Sequence, residues 1–202
     1  MKLYDYLPSG NSYKIRLLFA YLNIEYEWVN LDIIQGDTQT AEYKSKNPVG
    51  QIPLLELSDG RHIAESNAIL YFLAEGTPYF PASVFDQAKV LQWMFFEQYK
   101  HEPSIAVARY INHYAMDTRS GELPNLMKKG YGALDVMELH LAEHLYFVGA
   151  GPTIADISLY AYTHVAGEGG FDLSGYPNIK AWLDRMAEHS RHILITDIPK
   201  TI

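Results

Sequence analysis

The chain has 202 residues, 16 Lys+Arg against 24 Asp+Glu for a formal net charge of −8, and no cysteine. Without a thiol it can form no disulfide framework, cysteine zinc site, CxxC redox pair or thiolate nucleophile of its own. The acidic balance argues against general nucleic-acid binding, which needs a basic footprint. No apolar run approaches the roughly 18 residues of a membrane span, and Met1 to Asp5 is polar where a signal peptide needs an apolar stretch. These observations lead to the expectation of a soluble, cytoplasmic protein of one large domain or two small ones.

Lys2 to Tyr6 is a short strand-favouring run that ends at the turn cluster Leu7-Pro8-Ser9-Gly10. Ile15, Leu18, Phe19 and Leu22 then recur with the spacing of an amphipathic helix. Tyr26 to Asp32 reads as a second strand, and Thr40 to Lys46 as a brief helix stopped by Asn47-Pro48. Ile52 to Leu57 and Arg61 to Ala64, joined through Ser58-Asp59-Gly60, read as an antiparallel hairpin. Ser66 is placed as the N-cap of a helix carrying Ile69, Leu70 and Leu73. The order β-α-β-α-β-β-α predicts a small mixed sheet of thioredoxin-like type over residues 1–76. Residues 77–83 read as a linker, and 84–202 as an all-helical domain. Its helical periodicity runs over Val84 to Tyr114, Asn125 to Leu145, Ala155 to Val165 and Ile179 to His189.

Three features of the first domain carry chemistry. Pro53 opens a core strand, where proline is unusual; a cis Ile52–Pro53 bond would turn the Ile52 backbone outward to pair with an extended peptide. A trans proline at a strand start is the ordinary alternative. Ser66 lies at a helix N-terminus, which favours a carboxylate or phosphate, with Glu65 beside it to receive an ammonium group. Ser9-Gly10-Asn11-Ser12 opens the first helix, where hydroxyls and amides can stabilise an anion, a thiolate included. Each has a plain reading as turn or cap chemistry. Together they describe a groove for a small peptide with a carboxylate, an ammonium and a thiol.

Asn47-Pro48-Val49-Gly50-Gln51-Ile52-Pro53-Leu54-Leu55, followed by Glu65-Ser66-Asn67-Ala68-Ile69, resembles the N-terminal domain of cytosolic glutathione transferases. Pro152 to Ser158 and Tyr176 to Trp182 are similar to signatures of the same family's helical domain, so the resemblance spans nearly the whole chain. Thr153 and Asp156 also form a Thr-x-x-Asp variant of the capping box, a folding motif.

The resemblance implies a glutathione transferase with glutathione as co-substrate, working as a homodimer. It implies that Ile52 pairs with the cysteinyl part beside cis-Pro53, that Glu65 and Ser66 hold the γ-glutamyl end, and that Gln51 reaches the glycyl or cysteinyl part. Thr38 or Gln39 is implied at the glycyl carboxylate. The N-terminal register, of a bacterial-like serine type, is similar to the zeta and theta classes. It departs from the zeta pattern at Gly10 and Asn11, where zeta members have Ser and Cys. Ser9 then matches the catalytic serine, with Asn11 or Ser12 second and Tyr6 third. A non-catalytic protein of the same fold and a glutathione-dependent peroxidase are the alternatives.

A free thiol of pKa about 8.5 is roughly 3% thiolate at pH 7, and lowering that pKa by two units takes about 2.7 kcal/mol. One hydrogen bond to a charged acceptor supplies about 1.5–3 kcal/mol, and a helix N-terminus adds about 0.3–1 kcal/mol. Ser9 therefore needs only to donate, not to ionise.

Tyr99, Ile105, Arg109, Tyr110 and Tyr114 are candidate liners for an electrophilic, partly apolar second substrate, with core packing as the plain alternative. His140 and His144, four apart with Glu143 between them, have a zinc-compatible spacing but no third ligand at a fixed offset, so a solvated helix face is the favoured reading. Gly167-Glu168-Gly169-Gly170 reads as a helix terminator.

Overall fold

A computed structural model of the chain describes residues 1–199. They form two compact units, Met1–Glu75 with the segment from Arg191 onward, and Gly76–Ser190.

The first unit contains β1 (Lys2–Asp5), α1 (Gly10–Leu22), β2 (Glu27–Asn30), α2 (Ala41–Lys46), β3 (Leu54–Glu56), β4 (His62–Ala64) and α3 (Ser66–Ala74). This is the expected thioredoxin-like order. The sheet runs β2-β1-β3-β4, with β1 and β2 parallel and the other pairs antiparallel. Tyr4, Tyr43 and Leu54 form a core cluster joined by Val29, Leu31 and Ile52. Helix α1 packs against α3, and every residue from Ser12 to Phe19 is buried. Such a helix has no solvated face, so its two cations, Lys14 and Arg16, are fully buried as well.

Arg16 explains why the last described segment belongs to this unit rather than to the helical one, as the sequence had assigned it. Its Nε lies 3.1 Å from Asp5 Oδ2, an ion pair with both side chains fully buried. Nη2 donates to Leu7 O at 2.6 Å, and Nη1 to Ile195 O at 2.9 Å and Asp197 O at 3.4 Å. Trp28 Nε1 donates to the same Asp5 oxygen at 2.8 Å. Burial pushes the Asp5 carboxyl up, opposed by Arg16, Trp28 and Ser12. Tyr13 Oη also donates to Ile193 O at 2.5 Å. Deleting residues from Arg191 onward strands buried guanidinium donors, which costs about 1–3 kcal/mol per group. That truncation is expected to destabilise the first unit, read as a lower denaturant midpoint for Trp28 fluorescence.

The second unit contains α4 (Val84–Phe96), α5 (Glu102–Tyr110), α6 (Met116–Arg119), α7 (Leu123–Leu141), α8 (Ile154–Thr163) and α9 (Pro177–Ala187). The helical periodicity of Val84 to Tyr114 is borne by helix throughout, with π-turns at Glu97–His101 and Ile111–Ala115. Pro103 accounts for the first: within a helix it removes a donor and clashes with the carbonyl four residues back, and a widened turn relieves both. Helix α7 starts two residues before its expected position, with Pro124 in its first turn. It ends four residues early, at Leu141.

The Thr153–Asp156 capping box forms as the sequence predicts. Asp156 is fully buried and gathers four donors: Phe147 N and Trp182 Nε1 on Oδ1, Thr153 N and Thr153 Oγ1 on Oδ2, at 2.9–3.1 Å. Gly170 ends the 3₁₀ turn Ala166–Gly169 with φ of 89°, a left-handed terminator. No helix among the described residues is long and apolar enough to cross a membrane.

Candidate functional site

The loop between β1 and α1 holds Ser9 by every polar group it has except its hydroxyl proton. Ser9 N donates to Tyr6 O at 2.8 Å, Ser9 O accepts from Tyr13 N at 2.9 Å, and Ser9 Oγ accepts from Ser12 N at 3.3 Å as the N-cap of α1. A serine hydroxyl has two lone pairs and one proton. Capping uses a lone pair, so the proton remains available for an anion at the positive end of α1. Ser12 is fully buried, so its hydroxyl is turned away from solvent. Tyr6 is half-buried.

Asn11 joins a second cluster. Ser66 Oγ donates to Asn11 Oδ1 at 3.3 Å, and Lys14 Nζ donates to Ser66 Oγ at 3.2 Å. The sequence places Ser66 as the N-cap of α3, but the cap position is Glu65 and Ser66 is the first helical residue. The Ser66 hydroxyl is engaged by Lys14 and Asn11, and the cap itself makes no side-chain bond. Glu65 is exposed with φ of 69° and ψ of 116°. For a residue with a Cβ that is a strained backbone, of the kind found concentrated at ligand-holding positions.

The Ile52–Pro53 bond is cis. Gln51 O, just before it, is locked by Tyr43 Oη at 2.7 Å and Asn47 Nδ2 at 2.8 Å. Gln39 Nε2 donates to Gly50 O at 3.0 Å and to Thr38 Oγ1 at 3.3 Å, which ties the Gln39 turn to the Gly50-Gln51 segment. A Cβ at Gly50 would stand 3.1 Å from Thr38 O, and its φ is 69°, so glycine is required there.

In the helical unit the five candidate liners divide. Ile105 is fully buried, beside Gly130 and Gly169, and belongs to the core. Tyr99 is 76% exposed, on a groove of about 430 Å³ between α4–α5 and α7 with Phe96, Leu126 and Val136. Tyr110 and Tyr114 are exposed and lie ring to ring at 5.4 Å. Arg109 Nε reaches Glu168 Oε2 at 2.6 Å, and His113 Nε2 reaches the same oxygen at 2.9 Å. These two partners hold the Glu168 carboxyl below its usual range against the opposing effect of burial. His140 and His144 stack face to face at 4.3 Å. Among the described residues no three potential ligands are grouped for a metal.

The family model described as glutathione S-transferase, N-terminal domain, matches residues 1–75, and that described as glutathione S-transferase, C-terminal domain, matches residues 120–185. The chain belongs to the glutathione S-transferase family. A crystal structure of a glutathione S-transferase from Pseudomonas fluorescens is 54% identical with a TM-score of 0.95, over 97% of this chain and 98% of that one. A possible glutathione S-transferase from Rhodopseudomonas palustris is 45% identical with a TM-score of 0.95, over 100% and 92%. A maleylacetoacetate isomerase from Dictyostelium discoideum is 30% identical over 88% of this chain and 84% of its own.

Sequence reasoning gave Lys14 no role in this glutathione S-transferase family member. The signal was present: a lysine inside a helix whose neighbours Tyr13 to Tyr21 offer no polar face.

Proposed function

We propose that this chain binds glutathione and activates its thiol for attack on small, partly apolar electrophiles. The observation that carries the reading is Ser9, fixed at the start of α1 with its proton left to donate. The γ-glutamyl end is assigned to Glu65 and Ser66 at the start of α3, the cysteinyl backbone to Ile52 beside cis-Pro53, and the glycyl end to Gln51 and Gln39. Tyr110, Tyr114 and Arg109 remain the candidates for contacting the electrophile, with Ile105 as core support. Asn11 is the second candidate for the thiol.

The reading includes a homodimer in the cytoplasm.

Calorimetric titration with glutathione, followed by assays on a panel of electrophiles and hydroperoxides, tests the proposal. Binding with turnover of an electrophile is the expected result. Absence of binding at millimolar glutathione would overturn it, and binding without turnover would favour a regulatory role. Turnover confined to hydroperoxides would make the protein a peroxidase.

A further inference from the structure

Lys14 is fully buried. Removing an ammonium group from water costs several kcal/mol unless charge and hydrogen bonds compensate. The structure places this cation behind the start of α3, its Nζ 3.2 Å from Ser66 Oγ. Ser66 in turn donates to Asn11 Oδ1 at 3.3 Å, which completes a line of hydrogen bonds from Lys14 through Ser66 to Asn11. One end of the line carries a full positive charge, and the other lies two residues from Ser9.

We propose that Lys14 is a positioning residue of the glutathione site that acts through Ser66. This rests on the reading of the site given above. With no ligand bound, the Ser66 proton goes to Asn11. A carboxylate arriving at the start of α3 competes for that proton, and Lys14 holds the oxygen that bears it. A hydroxyl that accepts from a cation is a stronger donor than one that does not. The buried charge therefore reaches a γ-glutamyl carboxylate without touching it. The carboxylate's claim on Ser66 also withdraws this proton from Asn11 Oδ1, two residues from Ser9.

The probes are glutathione and γ-aminobutyryl-cysteinyl-glycine, which lacks the α-carboxylate but keeps the amine and thiol. Lys14→Met is expected to weaken glutathione binding by about tenfold, the loss of one charge-assisted contact. Affinity for the decarboxylated analogue is expected to change less than about twofold. In a Ser66→Ala background the effect of Lys14→Met should largely disappear, because the two residues act as one unit. Where Lys14→Met does not fold, Lys14→Gln keeps a donor, drops the charge and carries the same comparison. Equal weakening of both probes would make Lys14 purely structural and overturn the proposal, as would unchanged glutathione affinity. If wild-type protein binds neither probe, the glutathione reading itself fails.

Discussion

Replacing Ser9 by alanine is expected to lower turnover by about 10- to 150-fold, the equivalent of the roughly 1.5–3 kcal/mol in one hydrogen bond to a charged acceptor. Glutathione should still bind, because the residues assigned to its two ends lie elsewhere. Thiolate absorbance of the bound cofactor should move its titration to higher pH, as expected when a donor to the charged form is removed. Ser9 also caps α1, so the same variant should lose about 1 kcal/mol of stability. Ser9→Thr keeps the hydroxyl and the cap and should retain most activity. Full activity in Ser9→Ala with no change in the thiol titration would move the role to Asn11 or Tyr6.

The largest effect on stability is expected at Asp156. Asp156→Ala leaves the buried donors Phe147 N, Thr153 N, Thr153 Oγ1 and Trp182 Nε1 without their acceptor. Each buried donor left without an acceptor costs about 1–3 kcal/mol, so the loss is a large share of a typical folding free energy of about 5–15 kcal/mol. Denaturant unfolding should therefore show a much lower midpoint for the helical unit.

Burial pushes the Asp156 carboxyl up to about 6, with the four donors opposing the rise. A folded pKa above the unfolded value means that the contribution of this group is fully present below about pH 3.8 and is lost as pH rises through about 6. Asp156→Ala should remove that dependence. An unchanged slope of stability against pH between about 4 and 6 would contradict the assignment.

The strands and helices of the first unit were legible because their periods differ and their stops are chemical. Alternation ends at Leu7-Pro8-Ser9-Gly10, and helical spacing resumes at Ile15. The Thr153–Asp156 box was legible for the same reason, since its four positions lie within one turn. Three features were not. Ser66 reads as a cap because serine commonly caps, and only the long-range partners Lys14 and Asn11 show that its hydroxyl is used otherwise. The π-turns arise from local accommodation, and the apolar periodicity of Val84 to Tyr114 runs through them without a break. The attachment of the last segment depends on the carbonyls of Ile195 and Asp197. Backbone acceptors are the same at every residue, so they leave no mark in a sequence.

That attachment has a consequence for how the molecule is made. Arg16 and Ile195 are 179 positions apart, and the whole of Gly76–Ser190 lies between the two parts of the first unit. In terms of connectivity the helical unit is an insertion. A ribosome releases Met1 to Glu75 early, but Ile195 O and Asp197 O, the acceptors for Arg16 Nη1, emerge only after the entire helical stretch has been made. The helical unit is contiguous and can fold during synthesis, whereas the unit that carries Ser9 can close only at the end.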